Sequence, residues 1–359
     1  MIKICHMASY DKNIGDNAAI YNIRNWFDRE SSLQLEWHSV DMNEFYSRNN
    51  SLKYSKNFFS NIDKKYDAIL IGGGGLIEGH IYNKRETGWK LPFTKEILEL
   101  IDIPIFCVGL GVNYFRGCDR LTDAGKKNLS LLIDSSKVFS VRNDGSQQIL
   151  GSYGIRVNEI PDPGLIFNPM YFKDRKVPRR GFFQPARNSS QLINQHRDLD
   201  QENLKFLQDF CIEFNLGSLP HTPKDFSFFQ NVPLLIDPSK MTDLLKSARY
   251  KESLSSYFIH DFSVAMRGHG QLIACGLNLP GIYLSTQDKV FGFALKNGYL
   301  RYTVDTSNKN WKTELKNKVN LLLNDQKYLN LWYDLNESNN RKFHNDFSIE
   351  MRKIEALLK

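Results

Sequence analysis

The chain has 359 residues, 41% hydrophobic and 24% charged, with 47 basic against 40 acidic side chains for a formal balance of +7. That hydrophobic content excludes a disordered chain, and at roughly 100–200 residues per domain the length predicts about two domains, each able to bury a core. No apolar run reaches the ~18–20 residues that span a bilayer, and the opening MIKICHMASY reads as a strand rather than a leader, so the expected location is the cytoplasm.

The first half alternates short β-rich runs with helical segments. Residues 2–7 (IKICHM) predict a strand, followed by a loop over 8–15 and a helix over about 16–28, with Ala18, Ala19, Ile23 and Phe27 near one face. A second strand is expected at 33–40. Residues 67–71 (DAILI) are nearly all apolar and run into Gly72, Gly73, Gly74 and Gly75; residues 103–108 (IPIFCV) repeat the pattern and run into Gly109 and Gly111. Unbroken apolar strands of this kind belong to parallel sheets covered on both faces. Strands at 138–141 and 155–160, with a helical stretch at 145–150 between them, complete a doubly wound α/β domain. The proline- and charge-rich residues 168–180 read as a linker, which divides the chain into 1–175 and 176–359. Beyond it come a strand at 181–184, a helix at 201–214, weaker strands near 218–219 and 234–236, a strand at 262–266, a helix from 271 and a strand at 280–284. Residues 312–359 are mostly helical. The predicted fold class is therefore α/β: two Rossmann-like domains facing each other across a cleft, with a helical C-terminal segment.

The candidate chemistry lies after strands. Glycines 72–75 either form a tight turn or let a ligand approach the backbone. Asn13 and Asp16 stand at the end of the first strand, where a carboxylate can accept a hydroxyl proton or cap the helix. Arg267, Gly268 and His269 follow one strand and precede a helix, which offers a forked anion binder, accessible helix-terminal N–H groups and a group that titrates near neutrality. Arg142 occupies the equivalent place in the first domain. His221 and Asp225 share a proline-flanked loop, and Lys289 follows the 280–284 strand. Asp198 and Asp200 form a D-x-D in a polar helical approach and are discounted as a metal site. Cys5, Cys107, Cys118, Cys211 and Cys275 are widely spaced and lack a C-x-x-C pair, so reduced, buried thiols are expected. The small, dispersed basic excess favours anionic small molecules or phosphate-bearing lipid surfaces over nucleic acid.

Over most of residues 3–300, N-I-G-D (13–16), D-A-I-L-I-G-G-G-G (67–75), I-P-I-F-C-V-G-L-G (103–111), S-V-R-N-D-G-S (140–146), D-P-G (162–164), R-G-H (267–269), A-C-G-L-N-L-P (274–280) and Lys289 together resemble the polysaccharide pyruvyl transferase family. Where that family's pattern carries a bulky apolar residue between the arginine and the histidine, this chain has Gly268. The resemblance implies a fold similar to GT-B glycosyltransferases, with residues 1–175 on the acceptor side and 176–359 on the donor side. It implies transfer of a pyruvyl group from phosphoenolpyruvate, as a ketal, to a sugar of a cell-surface polysaccharide or its lipid-linked precursor. His269 would be the acid, Arg267 would stabilise the leaving phosphate, and Asp16 would act as base or orient the acceptor. Arg142, Asn13, Gly73, Gly74, Gly75, Gly268, His221 and Lys289 would bind substrate. The scheme needs no metal and no cofactor beyond phosphoenolpyruvate as co-substrate. Its expected partners are phosphoenolpyruvate and a saccharide or lipid-linked saccharide, the latter met peripherally at the inner face of a membrane, and nucleic acid is not among them. Two other readings stay open: a GT-B glycosyltransferase using a nucleotide sugar, and a non-catalytic carbohydrate-binding subunit of an envelope-synthesis complex.

Overall fold

The apolar runs are strands, and the described pairings between them are parallel. A computed structural model of the chain describes residues 1–46, 55–79, 84–113, 121–186, 201–228, 231–246 and 249–359; Cys118, Asp198 and Asp200 lie outside them. The first sheet contains β1 (Ile2–Ala8), β2 (Leu35–Asp41), β3 (Ala68–Ile77), β4 (Ile105–Val112), β5 (Val138–Arg142) and β6 (Asn158–Ile160), in the order β2-β1-β3-β4-β5-β6. The second contains β7 (Gly181–Gln184), β8 (Gly217–Ser218), β9 (Phe262–Ala265), β10 (Gly281–Ser285) and β11 (Thr303–Asp305), in the order β11-β10-β9-β7-β8. Each sheet starts in its interior, adds one strand on one side and then crosses to the other. The reversal opens a crevice at the strand carboxyl ends, between β1 and β3 in one sheet and between β7 and β9 in the other.

Two expectations need correction. Glycines 72–75 do not leave the sheet. β3 continues through them to Ile77, with Gly72 opposite Val108 and Gly74 opposite Leu110, and β4 likewise continues through Gly109 and Gly111 to Val112. What the missing side chains provide is room for the helix Ile14–Glu30. At Gly73, where φ is +89°, a Cβ would stand 2.5 Å from Ile20 Cγ1, and at Gly74 it would stand 2.8 Å from Asp16 Oδ1. The second correction concerns the helix start. Asn13 caps it by accepting the Gly15 N–H at 2.8 Å, which leaves the Asp16 carboxylate for other work. The helix Asp288–Lys296 and strand β11 were not anticipated; both are short, and β11 has only three residues.

The chain passes from the first sheet to the second through residues 161–180, which include the single turns Pro163–Leu165 and Pro169–Tyr171. It ends in the helices Trp311–Asn324 and Gln326–Leu358. The last, 33 residues long, returns to the first domain. Trp26 Nε1 donates to Ser348 Oγ at 3.0 Å, Glu355 Oε1 accepts from the Ser32 N–H at 3.2 Å, and Asn158 Nδ2 donates to Glu350 at 3.3 Å. One continuous apolar cluster joins Ile4, Phe27 and Phe106 of the first domain, Val264 and Ile282 of the second, and Trp332, Phe347 and Met351 of this helix. Cys5, Cys107, Cys211 and Cys275 are buried free thiols. Among the described residues no helix is long and apolar enough to cross a membrane.

Candidate active site

β9 ends at Ala265, and Arg267 takes extended dihedrals before the helix Gly268–Gly276 begins. The Arg267 N–H donates to Gln184 Oε1 at 2.9 Å, which ties the end of β9 to the end of β7 at the second sheet's reversal point. The first helical turn then carries the His269 ring into the first domain. Its seat is made by two glycines: a Cβ on Gly15 would overlap the His269 side chain, and one on Gly164 would stand 3.1 Å from His269 Cδ2. In this slot Nδ1 lies 3.3 Å from Asp16 Oδ1, and Nε2 lies 3.7 Å from Asp162 Oδ2 without a hydrogen-bond partner. Burial pushes the His269 pKa down to about 3; Asp16 opposes the shift, and Arg142, Lys289 and Arg267 add to it. The ring is therefore neutral at neutral pH.

Arg142 differs from its expected role as a cation open to the donor. It is buried, with Nε bonded to Asp144 Oδ2 at 2.5 Å and Nη1 to Asp162 Oδ2 at 3.1 Å. Asp144 also accepts from the Ser146 N–H and hydroxyl, and Asp162 accepts from the Gly164 N–H at 2.7 Å. Gly111 makes this possible, since a Cβ there would overlap the Arg142 guanidinium. The charge of Arg142 is thus largely answered by two carboxylates, one of which, Asp162, also faces His269.

Arg267 faces the other way. The buried Asp225 grips it through Nη2 to Oδ1 at 2.6 Å and Nε to Oδ2 at 3.2 Å, and Asp225 is itself held by the N–H groups of His221 and Thr222. Arg267 borders a cleft of about 500 Å³ whose walls include Ser9, Asn13, Asp16, Lys90 and Lys224. Ser9 Oγ is buried there without a hydrogen-bond partner. The His221 ring does not reach this cleft, contrary to expectation. It is fully buried, with Nε2 paired to Tyr257 Oη at 2.8 Å, and its backbone carbonyl accepts the Ile14 N–H at 3.2 Å. Gly73, Gly74 and Gly75 line neither cavity; Gly74 serves the site by leaving space for Asp16.

His269 also lines a narrow crevice with room for about 10 Å³, together with Arg142, Asp144, Gly268, Gln271 and Lys289. Lys289 lies along Gly268, its Cε 3.5 Å from where a Cβ would be, and its Nζ donates to Asn113 Oδ1 at 2.8 Å. Loss of hydration lowers the Lys289 pKa to about 8, Arg142 adds to the shift, and Asp144, Asp16 and Glu78 oppose it. Asn113 Nδ2 donates to Glu78 Oε1 at 3.0 Å, and Lys90 Nζ stands 3.8 Å from Glu78 Oε2. Burial raises the Glu78 pKa against these cations. The roles of Asp162, Asn113, Glu78 and Lys90 were not anticipated. The first three directly follow β6, β4 and β3, or come two residues after them, so the strand-end rule that singles out Asp16 and Arg267 applies to them as well. Lys90 carries no such signal.

The family model described as "Polysaccharide pyruvyl transferase" matches residues 13–288. No curated protein matches the chain. Similar solved structures include an alpha-glucosyltransferase in complex with UDP and a 13-mer DNA, 11% identical, with 100% of both chains covered and a TM-score of 0.52. A UDP-N-acetylglucosamine 2-epimerase is 10% identical over 93% of this chain and 90% of its own, with a TM-score of 0.50. The S. aureus MnaA–UDP co-structure is 13% identical over 94% of this chain and 91% of its own, with a TM-score of 0.49. At these identities the first two establish the fold alone: two Rossmann-like domains in the GT-B arrangement.

Proposed function

Because the chain belongs to the polysaccharide pyruvyl transferase family, we propose that it moves the pyruvyl group of phosphoenolpyruvate onto two hydroxyls of one sugar, forming a cyclic ketal and releasing phosphate. The observation that supports this best is the position of His269. It comes from the second domain, sits between Asp16 and Asp162 of the first, and lines the small crevice, while Asp16 beside it and Arg267 two residues before it line the large cleft.

The acceptor occupies the large cleft, with Asp16 in reach of a hydroxyl proton and Ser9 Oγ available to a second hydroxyl. The donor lies against the second domain, its phosphate at Arg267, which Asp225 holds in a fixed fork. Protonation of the enol methylene makes C2 electrophilic. One sugar hydroxyl adds to C2 and gives its proton to Asp16, phosphate departs with the C2–O bond, and the second hydroxyl closes the ring. Two O–H bonds, the C2–O bond to phosphate and the enol π bond break; two C–O bonds and a methyl C–H bond form, and the remaining proton leaves as an O–H of phosphate. No metal enters this scheme.

His269 supplies the acid once the donor is present. Its low proton affinity comes from burial and from the cations Arg142, Lys289 and Arg267. A donor carrying phosphate and carboxylate offsets those cations, while Asp16 already favours the imidazolium, so donor binding itself loads the proton. The acceptor is a sugar of a surface polysaccharide or of its lipid-linked precursor, with the protein in the cytoplasm and, for a lipid-linked acceptor, peripheral at the membrane. Residues 1–175 form the acceptor side and 176–359 the donor side.

The test incubates the protein with phosphoenolpyruvate and a panel of saccharides, reading phosphate release and the product mass expected of a pyruvate ketal. His269→Gln is expected to lose about 10²–10⁴-fold in turnover. Thermal stabilisation by UDP or GDP but not by phosphoenolpyruvate, with no phosphate released, overturns the proposal in favour of a nucleotide-sugar transferase. Saccharide binding without turnover that is unchanged in an Arg267→Ala, His269→Ala double variant points to a binding subunit.

A further inference from the structure

Gln271 lies one turn into the helix Gly268–Gly276, only 1% exposed, and neither its Nε2 nor its Oε1 has a hydrogen-bond partner. A buried primary amide that nothing satisfies is costly, and an apolar side chain of the same shape would serve packing better. Its place explains it. Gln271 walls the crevice shared by Arg142, His269 and Lys289, where the helix begins with Gly268 and His269 and where Arg267 provides no side-chain cap. Orphan backbone donors at a helix start and an unpartnered amide in the wall of the same crevice define a site for an acceptor-rich group. Arg142 is already answered by Asp144 and Asp162, which leaves Lys289, bonded to the neutral Asn113, as the cation of the crevice and suits a monoanion. About 10 Å³ admits little more than one oxygen atom, so a tetrahedral group is excluded and only the edge of a flat one can enter. The larger cleft, with Lys12, Lys90, Lys224 and Arg267 on its walls against Asp11 and Asp16, suits the dianion.

We propose that Gln271 is a substrate-contacting, specificity-determining residue: its Nε2–H group, with the Lys289 ammonium, receives the planar carboxylate of the three-carbon donor, while the phosphate lies on the Arg267 side of His269. The assignment rests on the phosphoenolpyruvate reading given above. It makes the crevice the part of the site that distinguishes an enolpyruvyl donor from an ordinary phosphate ester.

The test uses the full-length chain and three probes: phosphoenolpyruvate, vinyl phosphate, which lacks the carboxylate, and pyruvate, which lacks the phosphate. Affinities are measured by titration calorimetry and melting temperatures without ligand for the wild type, Gln271→Met and Gln271→Asn. Gln271→Met, which keeps the length and removes the hydrogen-bonding atoms, is expected to melt no lower than the wild type. It is expected to lose about tenfold or more in affinity for phosphoenolpyruvate and pyruvate, with none lost for vinyl phosphate, because only the hydrogen bond to a charged carboxylate has gone. Gln271→Asn, which keeps the amide at shorter reach, is expected to fall between the two. Equal losses for all three probes, or undiminished binding of both carboxylate probes, overturn the Gln271 assignment and leave the donor reading intact. A Gln271→Met chain that fails to fold also overturns the assignment, since the amide would then have a structural partner. Gln271-dependent binding of pyruvate without binding of phosphoenolpyruvate upholds the assignment and removes the donor. A wild type that binds none of the three removes both.

Discussion

His269 and two other buried histidines make the protein's stability depend on pH in one direction. Burial pushes His6 and His221 well below the ordinary histidine value of 6.5, and His269 to about 3. In the unfolded chain each takes up a proton near pH 6.5, while in the fold it does not. Their contribution is therefore fully present above about pH 6.5 and declines as pH falls, for His269 until about pH 3. The expected slope is about 1.4 kcal/mol per pH unit for each such histidine. Asp162 and Glu78, which burial raises, act in the opposite sense, but nearer the carboxylate range. Urea unfolding at pH 7.5, 6.5 and 5.5 should show stability nearly constant over the first step and clearly lower at the last. A rise on acidification would mean that these rings are charged in the fold. His269 and Asp16 were legible as candidates because each stands just past a strand. The neutral state of the ring was not, since it depends first on burial between the two domains and then on Arg142, Lys289 and Arg267, up to 127 residues away in the chain, and both arise only on folding.

The helix Ile14–Glu30 and the helix Gly268–Gly276 meet across the domains because the first supplies a glycine, Gly15, where His269 of the second packs. A methyl group on Gly15 overlaps the His269 side chain, and relief requires His269 or the whole second helix to move. Gly15→Ala should therefore cost about 1–3 kcal/mol through overpacking, and turnover should fall far more than that loss of stability would explain. Gly151→Ala is the control: nothing lies within 4 Å of the added methyl group, so stability and activity should stay near wild type. Thermal melts and phosphate release on the two variants check this, and an active Gly15→Ala would show that His269 need not occupy its slot. N-I-G-D was readable as a strand-end motif, but its third residue serves a partner 254 residues away. Glycines 72–75 misled for the same reason. A run of glycine after an apolar strand has the same appearance whether it forms a loop or allows a helix to lie on a continuing strand, and only the packing of Ile20 and Asp16 against it decides.

At the scale of the molecule, the two sheets share one apolar cluster, and the helix Gln326–Leu358 spans them both. Phe347 is fully buried within it, close in the chain to Ser348, which holds Trp26 of the first domain. Phe347→Ala should cost about 3–5 kcal/mol, and the loss should appear as a single shifted transition rather than as the separate melting of one domain. Calorimetry and near-ultraviolet circular dichroism distinguish these outcomes; two resolved transitions would show that the domains fold independently. The amino-acid sequence by itself determined the parallel α/β character, the number of Rossmann-like units, and the positions of Asp16, Arg267 and His269 at strand ends, because these follow from local apolar runs and the residues that end them. Only the tertiary structure decided that Arg142 is answered by Asp144 and Asp162, that His221 turns to Tyr257, that Asp225 clamps Arg267, and that Gln271 lies unpaired in a crevice. Each of these depends on which face of one domain meets which face of the other, and no local periodicity encodes that meeting.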